Sequence, residues 1–245
     1  MKQNEMIYGL HAVKTLLQTR PRDVLQLFVQ QDRTDHRLRE VMALADSFDI
    51  RTEVMAKVQF EKKLGQVNHQ GVAVLCRAGQ ALSEDDLLRD IEEKKSLLLL
   101  VLDGVQDPHN LGACLRSANA MGVHAVIIPK DRAASVTDVV KKVACGAAEH
   151  TPVIAITNLN RFLQQVKDAG VWLVGLDAEG AQMLSQVDLK GKIAIVMGNE
   201  GDGLRRLTKE ACDHLAKIPM LGVVESLNVS VATGIALYEA VRQRS

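Results

Sequence analysis

The 245-residue sequence lacks several features that would point to common classes of protein. Aromatic residues make up only 3% of it, so a surface of stacked rings for nucleic-acid bases is not expected. The four cysteines are widely separated and follow no zinc or redox spacing, and the seven histidines form no HExxH pair. We therefore expect no metal, and we expect the cysteines to be buried free thiols in a reducing cytosol.

Long apolar runs and a net charge are also missing. The longest apolar stretch, Ser96–Leu102 (SLLLLVL), has the length of a strand, whereas a transmembrane helix needs roughly 20 apolar residues. The first ten residues, MKQNEMIYGL, contain no signal-peptide core. Basic and acidic residues balance, 30 against 30, so no overall field attracts nucleic acid or a membrane. These features predict a cytoplasmic protein with no membrane partner.

Apolar patterning predicts two α/β regions joined by a polar segment. Residues 1–77 alternate helical and strand patterns and are mildly basic, which is typical of a small α/β domain. Residues 78–96 are polar and acidic, and we interpret them as a linker with a short helix capped by Ser83. In residues 97–245, continuous apolar strands alternate with helices, which predicts a mainly parallel sheet with helices on both faces. The predicted strands of this region are Leu97–Leu102, Ala125–Ile128, Val153–Ile156, Trp172–Leu176, Ile193–Met197 and Ala216–Pro219.

Polar loops follow three of these strands, at the edge where parallel sheets bind ligands. The loop after the first strand leads into a helix that carries Asn110 and Arg116, and the apolar neighbours of Arg116 predict a partly buried guanidinium. The second loop, VMGNEGDGL, has three glycines but does not follow the first strand, so it fails as a dinucleotide fingerprint. The third, IPMLGVVESLN, precedes the last helix. Together the three loops predict a pocket of nucleotide size.

The last helix is unusual because no charged residue occurs from Val229 to Tyr238. We expect it to begin at Ser226, a natural N-cap, and to be buried nearly all round. Ser226, Ser230 and Gly234 form a stripe of small residues against which another backbone can pack. Asn228 would then lie in a dry environment, where its amide needs a ligand or a second polar loop as partner.

Three segments, NLGACLRSANAMGVHAVI, VMGNEGDGL and SLNVSVATGIALYE, resemble in order and spacing the three motifs of the SpoU (TrmH) branch of the SPOUT RNA methyltransferases. The likeness covers about residues 97–242. The front region, with IYGLHAV and NHQGVAVL, is similar to the ribosomal-protein-like RNA-binding domain found in one subgroup. That subgroup methylates the ribose 2′-oxygen of a guanosine in 23S ribosomal RNA.

The resemblance implies a SPOUT catalytic domain in residues 97–245, with a C-terminal trefoil knot, and a substrate-binding domain in residues 1–77. It also implies a homodimer that acts on 23S ribosomal RNA with S-adenosylmethionine as the methyl donor. The matching positions for cofactor binding are Gly198, Ile218 and Leu227, and those for catalysis are Asn110, Arg116, Glu200, Ser226 and Asn228.

Arg116 is assigned to removal of the hydroxyl proton, either by lowering the pKa of the ribose hydroxyl through its charge or as the base proposed for the family. An arginine base is awkward, because guanidinium hardly deprotonates in proteins. With so few aromatic rings, RNA recognition should depend on phosphate contacts and shape. The candidates for these contacts, besides the basic front domain, are Lys130, Arg132, Lys141 and Lys142.

Three alternatives remain open at this point. A transfer RNA ribose methyltransferase of the same family would carry the same motifs. A non-catalytic RNA-binding or ribosome-assembly protein could keep the fold, although all five matching catalytic residues are present. A nicotinamide-dependent oxidoreductase is disfavoured by the position of the glycine-rich loop.

Overall fold

A computed structural model describes residues 4–31, 33, 35–65, 67, 69–77, 83–131 and 133–245 of the chain. The chain divides into two compact units, Met1–Gln80 and Ala81–Ser245. The sequence-based linker, residues 78–96, spans this division, and its residues 78–82 lie outside the described part. None of the described helices is long and apolar enough to cross a membrane.

In the residues that the structure describes, the first unit has a four-stranded sheet and three α-helices. Its strand order is β1-β4-β2-β3, in which β4 is antiparallel to both neighbours and β2 is parallel to β3. Apolar runs in the sequence predict strands at Val24–Gln30 and Gly71–Cys76, close to the observed β2 and β4. The first and third strands are half-exposed and give no such pattern. The elements are β1 (Asn4–Tyr8), α1 (Leu10–Thr19), β2 (Val24–Gln30), α2 (His36–Asp46), β3 (Thr52–Met55), α3 (Lys57–Leu64) and β4 (Val72–Arg77).

The second unit confirms the prediction of a mainly parallel sheet. Its seven strands have the order β7-β6-β5-β10-β8-β11-β9, and every pairing is parallel. The strands are β5 (Leu97–Leu102), β6 (Ala125–Pro129), β7 (Val153–Ile156), β8 (Trp172–Leu176), β9 (Gln182–Met183), β10 (Lys192–Met197) and β11 (His214–Lys217). The helices are α4 (Glu84–Glu93), α5 (Pro108–Ala120), α6 (Asp138–Ala144), α7 (Leu159–Asp168), α8 (Arg206–Ala211) and α9 (Val229–Arg242).

Helices cover both faces of this sheet. Successive residues of β5 point to opposite faces, so Leu98 and Leu100 pack with α5, α6 and α9, whereas Leu97 and Leu99 pack with α4, α7 and α8. Burial on both faces explains why β5 is a continuous apolar run. Helix α4 has the predicted Ser83 cap, but Leu87 and Ile91 are buried in this core, so residues 84–93 of the predicted linker pack on the sheet.

The cysteines only partly match the prediction of buried thiols. Cys76 and Cys114 are buried and Cys212 is half-buried, but Cys145 is exposed, so the prediction was wrong for Cys145. Cys145 lies just beyond α6 in a left-handed conformation, after Ala144, which is the last buried residue of that helix. Burial raises the pKa of Cys76 and Cys114 to about 11 and that of Cys212 to about 12. These three thiols are therefore protonated at neutral pH.

Candidate active site

Asn110, Glu200 and Asn228 meet at the carboxyl edge of the seven-stranded sheet. Asn110 lies in the first turn of α5, after β5, and Glu200 lies in the turn after β10. Because β5 and β10 are neighbours in the sheet, these two segments emerge side by side. Asn228 is the N-cap of α9, and α9 packs against α5. Three loops that are far apart in sequence thus supply one polar cluster.

Hydrogen bonds join the three side chains. Asn110 Nδ2 donates to Glu200 Oε1 at 3.0 Å, and Asn228 Nδ2 donates to Asn110 Oδ1 at 3.0 Å. Asn228 Nδ2 also donates to Glu200 Oε1 in a short contact. One carboxylate oxygen therefore accepts from two amide groups. Hydrogen bonds to a charged acceptor are stronger than neutral ones, so Glu200 fixes the orientation of both asparagines.

The start of α9 differs from the prediction. The helix begins at Val229, and its cap is Asn228, whose Oδ1 accepts hydrogen bonds from Ser230 N at 2.9 Å and Ser230 Oγ at 2.6 Å. Ser226 is exposed and lies before the helix, so its prediction as the N-cap was wrong. Both residue types cap helices equally well. Asn228 is the cap here because its side chain also has hydrogen-bond partners, Asn110 on α5 and Glu200 in the turn after β10.

Helix α9 is also less buried than predicted. Its inner face packs on α5, where Thr233 Oγ1 lies 3.5 Å from Cys114 Sγ and a Cβ on Gly234 would lie 3.8 Å from Ser117 Oγ. The opposite face is exposed within the single chain, with Val231 at 51% and Tyr238 at 58% accessibility. The prediction of burial all round is therefore wrong for the single chain.

Arg116 is exposed, on the second turn beyond Asn110. The prediction of a partly buried guanidinium was wrong, because its apolar neighbours in sequence lie on the inner face of α5 while Arg116 points outward. The guanidinium of Arg116 has no hydrogen bond or ion pair with any described residue. Its five N–H donors are thus available to a bound molecule.

The glycine-rich turn is a tight structure between β10 and α8. Asn199 N donates to Gly203 O at 3.0 Å, and Asn199 Oδ1 accepts from the amides of Gly201 and Asp202. A Cβ on Gly198 would lie 2.1 Å from the carbonyl carbon of Gly203, and Gly203 has a φ of +66°. Only glycine fits at Gly198, because the chain returns past it.

Ile218 and Leu227 flank the third loop. Both are half-buried, and Ile218 packs against the core, whereas residues 219–226 are exposed. The backbone of residues 219–227 makes no backbone–backbone hydrogen bond with any residue in the described part of the chain. Free main-chain donors and acceptors between aliphatic side chains suit a neutral heterocycle.

Two other groups of sequence candidates have different outcomes. Lys130, Lys141 and Lys142 are exposed, and Arg132 lies outside the described residues. Within the described part of the chain, no group of three or more His, Cys, Asp or Glu side chains could hold a metal ion. Asp103, a fully buried carboxylate directly after β5, was not predicted from the sequence. The available sequence signal for a buried carboxylate was its position directly after the six apolar residues of β5.

Comparison with known proteins places these residues in a family. The model of the SpoU rRNA Methylase family matches residues 97–238, which include the whole cluster. The chain belongs to the SpoU rRNA methylase family. A second model, described as RNA 2′-O ribose methyltransferase substrate binding, matches residues 6–82.

Several SpoU relatives match the chain over almost its full length. The 23S rRNA (guanosine-2′-O-)-methyltransferase RlmB of Coxiella burnetii is 51% identical over 245 residues, which is 100% of this chain and 98% of that protein. RlmB of Pectobacterium atrosepticum is 48% identical, covering 98% of this chain and 99% of that protein. Among solved structures, an AdoMet-bound rRNA methyltransferase from Sinorhizobium meliloti is 25% identical with a TM-score of 0.69, covering 98% of this chain and 87% of that chain.

Proposed function

We propose that this protein transfers a methyl group from S-adenosylmethionine to the ribose 2′-hydroxyl of a guanosine in 23S ribosomal RNA. The observation that carries the proposal is the cluster of Asn110, Glu200 and Asn228, which joins the three SpoU loops at one edge of the sheet. The substrate is inferred from relatives of about 50% identity that share the full length of the chain and bear that name. The match of the front region to a model of RNA 2′-O ribose methyltransferase substrate binding supports an RNA substrate.

The cofactor site is proposed at the second and third loops. S-adenosylmethionine, when bound, supplies an electrophilic methyl group. Gly198 lets the turn after β10 fold tightly, and Ile218 and Leu227 provide aliphatic contacts beside the free main chain of residues 219–227. These residues would hold the adenine by shape and main-chain hydrogen bonds, since no charged side chain is required for a neutral ring.

The catalytic roles follow from charge and position. We assign Arg116 to lowering the pKa of the ribose hydroxyl, whose proton then leaves to solvent water, because its guanidinium is exposed and unpaired within the described chain. A fixed positive charge favours the ionised form of a nearby hydroxyl and also binds RNA phosphate. Asn110, Glu200 and Asn228 would hold the loops in place, and Ser226, exposed two residues before Asn228, would contact the substrate. Alignment of reacting groups can contribute several orders of magnitude in rate.

We also propose a homodimer formed through α9, with the C-terminal knot implied by the family. Val231, Ile235 and Tyr238 follow one another at helical spacing and are all exposed. Three large exposed apolar side chains on one helix face indicate that this face is covered by another subunit. The substitution Ile235→Glu should convert a dimer into a monomer in sedimentation velocity. Val58→Glu, at a valine that is 77% exposed on α3, is the matched control and should remain dimeric. A monomeric unmodified protein would contradict the proposal.

A methyl-transfer assay tests the reaction and the substrate. Labelled S-adenosylmethionine is incubated with unmodified 23S RNA and, separately, with bulk transfer RNA, and the labelled nucleoside is identified. We expect label in 2′-O-methylguanosine of 23S RNA, lost in Arg116→Ala and retained in Arg89→Ala, which removes an exposed arginine of α4. Label in transfer RNA alone would show that transfer RNA, and not 23S RNA, is the substrate. No label in either RNA or in a precursor ribosomal particle would refute the function.

A further inference from the structure

Asp103 contacts both ends of the glycine-rich turn. Its backbone N donates to Met197 O at 2.7 Å, at the end of β10. Its carboxylate Oδ1 lies 3.4 Å from Arg205 Nε, at the N-cap position of α8. Met197 and Arg205 directly precede and follow residues 198–204. A single residue at the end of β5 therefore fixes the entry and the exit of the turn that carries Gly198 and Glu200.

The burial of this carboxylate makes the contact unusual. Asp103 is 0% exposed, and neither carboxylate oxygen has a hydrogen bond with a described residue. Burying such a group with incomplete pairing opposes folding, and an apolar residue of similar size would often be at least as stable. Arg205 is 42% exposed and does not bury its charge fully. A contribution to global stability therefore does not account for Asp103.

We propose that Asp103 is a positioning residue for the methyl-transfer site. Through its ion pair with Arg205 it holds the turn after β10 in the conformation in which Glu200 reaches Asn110 and Asn228. This inference rests on the proposed function. Asp103 does not touch the reacting groups; it acts through Arg205 and the turn.

The test compares Asp103→Asn, Arg205→Gln and the double variant. Each single variant should lower kcat on the order of 10- to 100-fold, because small displacements of catalytic groups have effects of this size. The double variant should be no slower than the slower single variant, since both remove the same contact. Arg206→Gln is the matched control, because the neighbouring Arg206 pairs with Glu210 and not with Asp103. It should retain the wild-type kcat.

Two further measurements distinguish a positioning role of the ion pair from RNA binding by Arg205. Amide hydrogen exchange without ligand should show faster exchange of residues 198–204 in both single variants, whether or not the protein methylates RNA. If Arg205 instead binds RNA, Arg205→Gln alone would raise KM for RNA and Asp103→Asn would not. Folded Asp103→Asn with wild-type kcat and unchanged exchange would overturn the proposal. If Asp103→Asn does not fold, Arg205→Gln decides by the same kcat and exchange criteria.

Discussion

The side-chain amide of Asn228 has two tasks that substitutions can separate. Its oxygen caps α9 by accepting from Ser230, and its nitrogen donates to Asn110 and Glu200. Asn228→Ala removes both functions. Asn228→Ser keeps a side-chain oxygen that caps helices as well as asparagine does, but removes the amide donor.

The two tasks predict effects of different kinds. Loss of an N-cap costs about 1 kcal/mol, which lowers Tm by roughly 2–4 °C in a domain of this size. Loss of a hydrogen bond to a charged group costs about 1.5–3 kcal/mol. If that loss is expressed entirely in the transition state, the rate falls roughly 10- to 150-fold. Asn228→Ala should therefore lose both stability and rate, and Asn228→Ser should lose rate alone.

Thermal unfolding and single-turnover methyl transfer at saturating S-adenosylmethionine measure the two effects. Both variants should be slow to a similar degree, while only the alanine variant has a lowered Tm. A folded Asn228→Ser protein with the wild-type rate would refute the role of the amide donor. If the loss of rate instead tracks the loss of Tm in both variants, the network has no role apart from holding the helix.

Three further predictions concern the turn, the thiols and the last helix. Gly198→Ala should abolish S-adenosylmethionine binding in calorimetry, whereas Gly201→Ala should keep it, because a Cβ on Gly201 would meet only one atom, at 3.7 Å. Iodoacetamide at neutral pH should label Cys145 in the native protein and the other three thiols only after unfolding. Hydrogen bonds from Arg242, and secondarily Gln243, lower the pKa of Glu239 from 4.5 to about 2. Its contribution to stability is therefore complete above pH 4.5 and is lost as the pH falls to about 2, so acid unfolding of Glu239→Gln should depend less on pH in that interval.

Strands with strong apolar runs could be predicted closely from the sequence. The bounds of β2, β5, β7 and β8 agree with the prediction because both faces of these runs are largely buried or bounded by polar turns. The strands β1 and β3 were missed because their side chains are half-exposed, which leaves no clear alternation. Helix α3 was missed for a similar reason, since Phe60 is its only buried residue.

The site residues could be predicted from the sequence, but their arrangement in space could not. Asn110, Glu200 and Asn228 were all assigned from motif positions, and the structure brings them within hydrogen-bond distance. Their roles in catalysis stay predictions. The exposure of Arg116 could not be predicted, because residues next to it in sequence lie on another face of the helix.

The loop between β11 and α9 is longer than the distance between β5 and β11 requires. Strands are about 4.8 Å apart, and β10 and β8 lie between these two, so the chain must return across roughly 14 Å to place α9 beside α5. Residues 218–228 make this return, and Asn228 at its end contacts Asn110 of α5. About five extended residues would span this distance. The additional length leaves the exposed main chain of residues 219–227 without backbone partners in the described part of the chain. This free main chain ends at the cap of α9, so the proposed cofactor site adjoins the cluster of Asn110, Glu200 and Asn228.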